Sequence, residues 1–341
     1  MQRKLFYLLL IVLISGSVYS QLGGTHAYSI LNLRNSAKTA ALGVDVLSCF
    51  TDDVSAVMTN PSIISTENHN DFALTYTALF DGIRQAGLAY SYSLGAFGNL
   101  GAGLQYLNYG DFEMTEENGD VVGRFTANEY AFTIAWSKML DSNVYIGASL
   151  KPIYSQYETY SSFAMAIDLA VSYQSNNRSW AASVIARNIG KQISTFATQE
   201  ESLPFDLQLA LYKKLKHAPL SIYASITNLH KWNIREDDEL NPRDEVDLNG
   251  EIRKENKFVG IMDNALRHLQ FGVEFTPSKY FYLALGYSWK QNREMQIDDT
   301  FSLAGLSYGV GLNYKQFRLA YSRNEYHRYG SPNFITFLVR L

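Results

Sequence analysis

"LQFGVEFTPSKYFYLALGYSW", residues 269–289, decides the fold. In its second half Phe281, Leu283, Leu285, Tyr287 and Trp289 share one parity, and Tyr282, Ala284, Gly286 and Ser288 hold the other. In its first half Leu269, Phe271, Val273 and Phe275 alternate with Gln270, Gly272 and Glu274. Successive side chains of an extended chain point to opposite faces. Both runs therefore predict strands with one apolar face and one small or polar face, joined by a short turn at Pro277-Ser278-Lys279. The same alternation appears in "FDLQLAL" (205–211), and fourteen segments carry it, from 70–79 to 332–341.

Segments of about ten residues match the length a tilted strand needs to cross a bilayer, whereas strands of a soluble sandwich run nearer five or six. An even strand count and alternation of apolar with polar or small faces predict an all-β, 14-stranded antiparallel transmembrane β-barrel. Short turns follow every second strand: at Gly95, Asp141-Ser142-Asn143, Ser175-Asn176-Asn177, Lys216 to Pro219, Pro277 to Lys279, and Lys315. The connections between them are mostly longer, at 110–123, 188–202, 229–266 and 291–300. Barrels of bacterial outer membranes have short periplasmic turns and longer extracellular loops, so both ends of the barrel chain are expected on the periplasmic side.

Composition agrees with a lipid-facing chain. Charged residues make up 18%, against about 25% in soluble domains, while Tyr (24) and Phe (19) are abundant. Arg3 and Lys4, the apolar run Leu5–Ile14 and small residues up to Ser20 predict a cleaved signal peptide over 1–20, with localisation in the outer membrane. The formal charge of −4 falls to −6 once Arg3 and Lys4 leave, so nothing suggests a nucleic-acid partner. The single Cys49 excludes an intramolecular disulfide and reads as a small buried residue.

Residues 21–69 lack the alternation. Ser36 is placed to cap a short helix stopped by Gly43. Thr51 is placed to cap a second, with Asp52 and Asp53 in its first turn and Asn60-Pro61 at its end. Some fifty such residues ahead of a wide barrel predict a plug over 21–69, with the barrel proper at 70–341. "ALGVDVLSCFTDDVSAVMTNPSII" (41–64) resembles the plug pattern of FadL-like outer-membrane proteins, with Asp52, Asp53, Asn60 and Pro61 as its motif. "LNLRNSAKTAALG" (31–43), "LTYTALFDGIRQAGLAYSY" (74–92), "MDNALRHLQFGVEFTPSKYFYLALGYSW" (262–289) and "LAYSRNEYHRYGSPNFITF" (319–337) extend the resemblance to the PorQ- and PorV-type barrels of the Bacteroidetes type IX secretion system. That resemblance implies a non-enzymatic anchoring subunit. Its partners would be the attachment-complex proteins PorZ, PorU and PorV, and its setting outer-membrane lipid and lipopolysaccharide. Ser62 departs from the Pro-Ala usual in those relatives.

No zinc, nucleophile or cofactor motif emerges. The six histidines show no paired spacing, and there is no GxSxG. "EVDLNG" (245–250) imitates the start of a calcium loop but has Glu at its first position and Asn256 at its twelfth. The connection 229–266 is dense in charge at first and then carries Phe258, Ile261, Met262 and Leu266 at helical spacing. These four are candidate partner-docking residues, with a lid over the barrel mouth as the alternative. A second function, transport of hydrophobic compounds, needs apolar residues on the inward faces of several strands. Those faces read as mostly small or polar, which favours the anchoring role.

Overall fold

The computed structural model describes residues 28–51, 53–196, 200–235, 245–246, 252–253, 256–295, 302–326 and 330–341. Fourteen strands form one closed antiparallel barrel. In chain order they are β1 (Asp71–Ala78), β2 (Arg84–Ser93), β3 (Asn99–Thr115), β4 (Val121–Asp141), β5 (Val144–Tyr157), β6 (Tyr160–Gln174), β7 (Trp180–Ser194), β8 (Asp206–Lys214) and β9 (Leu220–Ile226). After a separate ribbon of β10 (Glu245–Val246) and β11 (Ile252–Arg253) come β12 (Leu269–Ser278), β13 (Phe281–Ser288), β14 (Leu306–Tyr314), β15 (Phe317–Asn324) and β16 (Asn333–Arg340). The ring closes where β1 pairs with β16, from Asp71 opposite Arg340 to Ala78 opposite Asn333.

The alternation sets the wall. Along β13, Tyr282, Ala284, Gly286 and Ser288 are buried inside, while Phe281, Leu283 and Leu285 stand exposed outside. Along β12, Gln270, Gly272 and Glu274 turn inward and Phe271, Val273 and Phe275 outward. A closed barrel pairs every backbone group with a neighbour, which is what lets strands sit in hydrocarbon. On the outer face Tyr106, Tyr130 and Tyr154 pack side by side across three strands with tilted rings, centroids 4.9 and 6.4 Å apart. Phe97, Tyr280 and Tyr314 crowd the short-turn end as an exposed aromatic rim.

Connections depart from their expected form in three places: residues 188–194 continue β7, Trp289–Met295 form a short helix where β13 is expected to run on, and a hairpin takes the place of the loop at 110–123. Residues 110–115 and 121–123, expected in a loop, continue β3 and β4 into a hairpin that turns at Glu116–Asp120 and stands beyond its neighbours. β2 stops pairing with β3 at Asn108, and β5 begins pairing with β4 at Ala127. Past those points the period-two signal is short: it persists over Asp111 to Thr115 on β3 and is broken by Val121-Val122 on β4, although the backbone stays extended.

Candidate functional site in the barrel lumen

Residues 28–69 run inside the ring, held by short capped turns. The Ser36 hydroxyl accepts from Thr39 N at 3.1 Å to start the helix Ala37–Ala41, and Gly43 leaves it with φ of 65°. The next turn, Val54–Met58, is a 3₁₀ helix capped by Asp53, whose carboxylate accepts from Ser55 N at 3.0 Å. Thr51, the expected cap, instead accepts from Asp53 N at 3.2 Å. An aspartate two residues later offers the stronger acceptor to the free N–H groups, which moves the start. Asp52 lies outside the described residues.

Asn60 is fully buried and works in both directions. Its amide donates to Leu47 O at 2.9 Å, and its oxygen accepts from Ser62 N at 3.1 Å and Ser62 Oγ at 2.6 Å. Pro61 opens the turn that follows, where a missing N–H costs nothing. Ser62 Oγ also lies 2.6 Å from Ser172 Oγ on β6. The hydroxyl therefore ties this turn to the wall.

The segment uses the full height of the lumen. Ile30 N donates to Glu129 Oε2 at 3.0 Å, and Ala37 N donates to Thr336 Oγ1 at 2.8 Å. Asp45 N reaches Gln270 at 3.0 Å, Phe50 packs edge-on against Tyr145, and Asn99 donates to Ile64 O at 3.2 Å near the short turns. Space for this passage comes from wall glycines. A Cβ on Gly286 would fall closer than 3.0 Å to the carbonyl of Leu42 and to Gly43 N, which are backbone atoms that cannot swing aside. Gly286→Val is expected to cost well over the roughly 1–3 kcal/mol of ordinary overpacking and to expose residues 37–45 to added protease. The outward Leu285→Val should leave digestion unchanged.

The luminal charges are held by ion pairs or hydrogen bonds. Lys151 Nζ sits 2.5 Å from Asp168 Oδ2, with side chains 3% and 0% exposed. Arg187, on the next strand, donates to Leu31 O at 2.9 Å. Lys38 Nζ lies 3.1 Å from Glu274 Oε2, and Tyr223 donates to the same carboxylate at 3.1 Å. Glu129 takes hydrogen bonds from Tyr109, at 2.9 Å, and from Tyr157. Burial pushes the Cys49 thiol up to about 11, in keeping with a small packing residue rather than a nucleophile.

Toward the long-loop end the interior turns apolar. Leu107 on β3 and Ile153 on β5 point inward and are buried at 1% and 0%. With Ala131, Ala164, Ala166 and Leu203 they surround Tyr28, Ile30 and Leu31. Inward faces expected to be mostly small or polar therefore also carry an apolar patch at this end. The signal was present: Leu107 shares its parity with Gly101, Gly103 and Gln105, and Ile153 with Gly147, Ser149 and Lys151.

The proposed docking residues sit on the helix Lys257–Arg267, where Phe258, Ile261 and Met262 are exposed and Leu266 is half-buried. His268 bridges Thr227 O at 2.7 Å and Trp232 O at 2.9 Å. The side chains of the calcium-like run 245–250 lie outside the described residues. None of the luminal charges was singled out from the sequence, although Lys151, Asp168 and Glu274 all stand on the polar parity of long alternating runs.

The sequence matches no protein-family model and no curated protein. Among solved structures, the fold is similar to the Pseudomonas putida toluene transporter TodX. The TM-score is 0.56 at 12% identity, over 90% of this chain and 98% of that one. A TodX deltaS2S3 mutant, described as a monoaromatic hydrocarbon channel, gives 0.53 at 12% identity, over 90% and 98%. A Pseudomonas aeruginosa FadL homologue gives 0.47 at 10% identity, over 90% and 98%. The chain has the fold of FadL-like 14-stranded outer-membrane barrels.

Proposed function

We propose that this barrel passes small apolar compounds across the outer membrane and that residues 28–69 act as its plug and gate. The observation that carries the reading is the apolar chamber of Leu107, Ile153 and the alanines around them, filled by Tyr28, Ile30 and Leu31. Such a chamber exchanges one apolar occupant for another at little cost, because both remove similar area from water. A permeant that enters from the long-loop end replaces the residue 28–31 contacts and loosens the segment below. The toluene transporter of the same fold supports the choice of ligand class.

The test is uptake of a radiolabelled monoaromatic hydrocarbon by intact cells whose outer leaflet is lipopolysaccharide. Cells producing the protein should take it up severalfold faster than cells without it, and the Leu107→Asp/Ile153→Asp variant should abolish the gain. Equal rates in all three, with the barrel present at normal level, would overturn the transport reading.

A second reading is the anchoring subunit of a type IX attachment complex, docking PorZ in company with PorU and PorV. The hairpin of β3 and β4 favours it. Phe112 and Phe125 stack there at 5.2 Å and Met114 sits opposite Gly123, giving one apolar face on an exposed ribbon whose edges are unpaired. Unpaired strand edges with apolar side chains invite addition of a strand from a partner.

A further inference from the structure

The helix Lys257–Arg267 is built inside out for a protein in water. Its polar face is the fastened one. Asp263 accepts from Trp289 Nε1 at 2.9 Å and Arg267 Nε at 2.9 Å, and Arg235 Nε lies 3.1 Å away. Burial alone would raise the Asp263 carboxyl, but the hydrogen bonds from Trp289 and Arg267 and the nearby guanidinium charges hold it below the usual carboxylate range. Asn264 donates to Trp232 O at 2.6 Å and accepts from Ile234 N at 3.1 Å. The opposite face presents Phe258, Val259, Ile261 and Met262, exposed at 69%, 53%, 56% and 45%. A surface helix facing water turns its apolar stripe inward; this one is pinned through its polar stripe and cannot roll over to hide the other.

We propose that this apolar face lies in the acyl-headgroup boundary of the outer leaflet, so that the helix is an interfacial anchor of the barrel. The occupant is lipid because the face continues a surface already in contact with lipid. Only His268 separates the helix from β12, whose outward Phe271, Val273 and Phe275 belong to the membrane-facing band. Trp232 is 64% exposed and stacks on His268 at 5.7 Å, which puts an indole beside the same junction. Aromatic side chains of this kind concentrate at the membrane boundary, and apolar helix faces sink a short way beneath the headgroups there. The proposal requires only the outer-membrane barrel and is independent of what the lumen passes.

The experiment uses the full chain in phospholipid vesicles. Cys49→Ala removes the single cysteine. Nitroxide labels are then placed one at a time through Phe258→Cys, Ile261→Cys and Met262→Cys. Phe271→Cys serves as the lipid reference and Asn118→Cys, at the tip of the hairpin, as the water reference. Labels at 258, 261 and 262 are expected to relax with dissolved oxygen as the label at 271 does, and to resist a water-soluble nickel complex. Nickel accessibility like that of the label at 118 would overturn the proposal. So would labels that reach the 271 values only after native membrane proteins are added, since that outcome assigns the face to a protein. A second measurement avoids labels on the helix. Brominated phospholipids should quench the fluorescence that Trp232→Phe removes, and absence of that quenching counts against the proposal.

Discussion

Deletion of residues 28–60 is expected to raise single-channel conductance in planar bilayers by more than about tenfold, because a barrel of this width leaks when nothing fills it. The ring does not depend on the segment for closure, since β1 pairs with β16 and the strand ladder is complete without it. Most wall residues left facing the lumen are small or polar, such as Ser172, Gln208 and Thr336, and tolerate water. Heat-modifiable migration and a strand-dominated circular dichroism spectrum should therefore persist. Unchanged conductance in a properly assembled barrel would mean that the long-loop connections close the pore.

Asp168→Ala should be the most damaging loss of a luminal charge. It leaves Lys151, whose side chain is 3% exposed, without its partner at 2.5 Å, and a second cation, Arg187, stands buried on the adjacent strand. Breaking a buried pair by removing one member costs about 3–5 kcal/mol. Asp168 also holds the backbone of the next strand. Its Oδ1 accepts from Asn188 N at 2.8 Å, where β7 bulges against β6 and Asn188 takes φ of 57°. Urea midpoints of refolded barrel should fall accordingly. The double variant Lys151→Met/Asp168→Leu should recover most of the loss, as uncharged replacement of a buried pair often does. A loss under about 1 kcal/mol for Asp168→Ala would mean the lumen is wet enough to screen the pair.

All fourteen strands were legible because lipid on one side forces a strict apolar parity, as in Phe281, Leu283 and Leu285. Legibility ended where that force ends. "DFEMTEENGDVVGRF" (111–125) is mostly strand with both faces exposed, and its one short alternation, Phe112 and Met114 between Asp111, Glu113 and Thr115, runs straight into the polar turn at Glu116–Asp120. Ser36 and Gly43 were readable as helix punctuation because their roles are local. Asp53 displaced Thr51 as a cap through a difference of one hydrogen bond, which residue order alone does not rank. Lys151 and Asp168 lie far enough apart in sequence that only the register of β5 against β6 brings them together.

The fit of Leu42 over Gly286 also constrains how such a chain can change over generations. A side chain gained on the wall at 286 has no room unless the backbone at 42 and 43 retreats, so neither position drifts alone. The same holds for Gly147 beneath Pro61 and Ser62. Positions more than two hundred and forty residues apart in the first case, and under a hundred in the second, should therefore substitute in pairs among descendants. A steric ledger of that kind links the leading segment to its own barrel, and a segment borrowed from a relative with bulkier residues there would fail to seat.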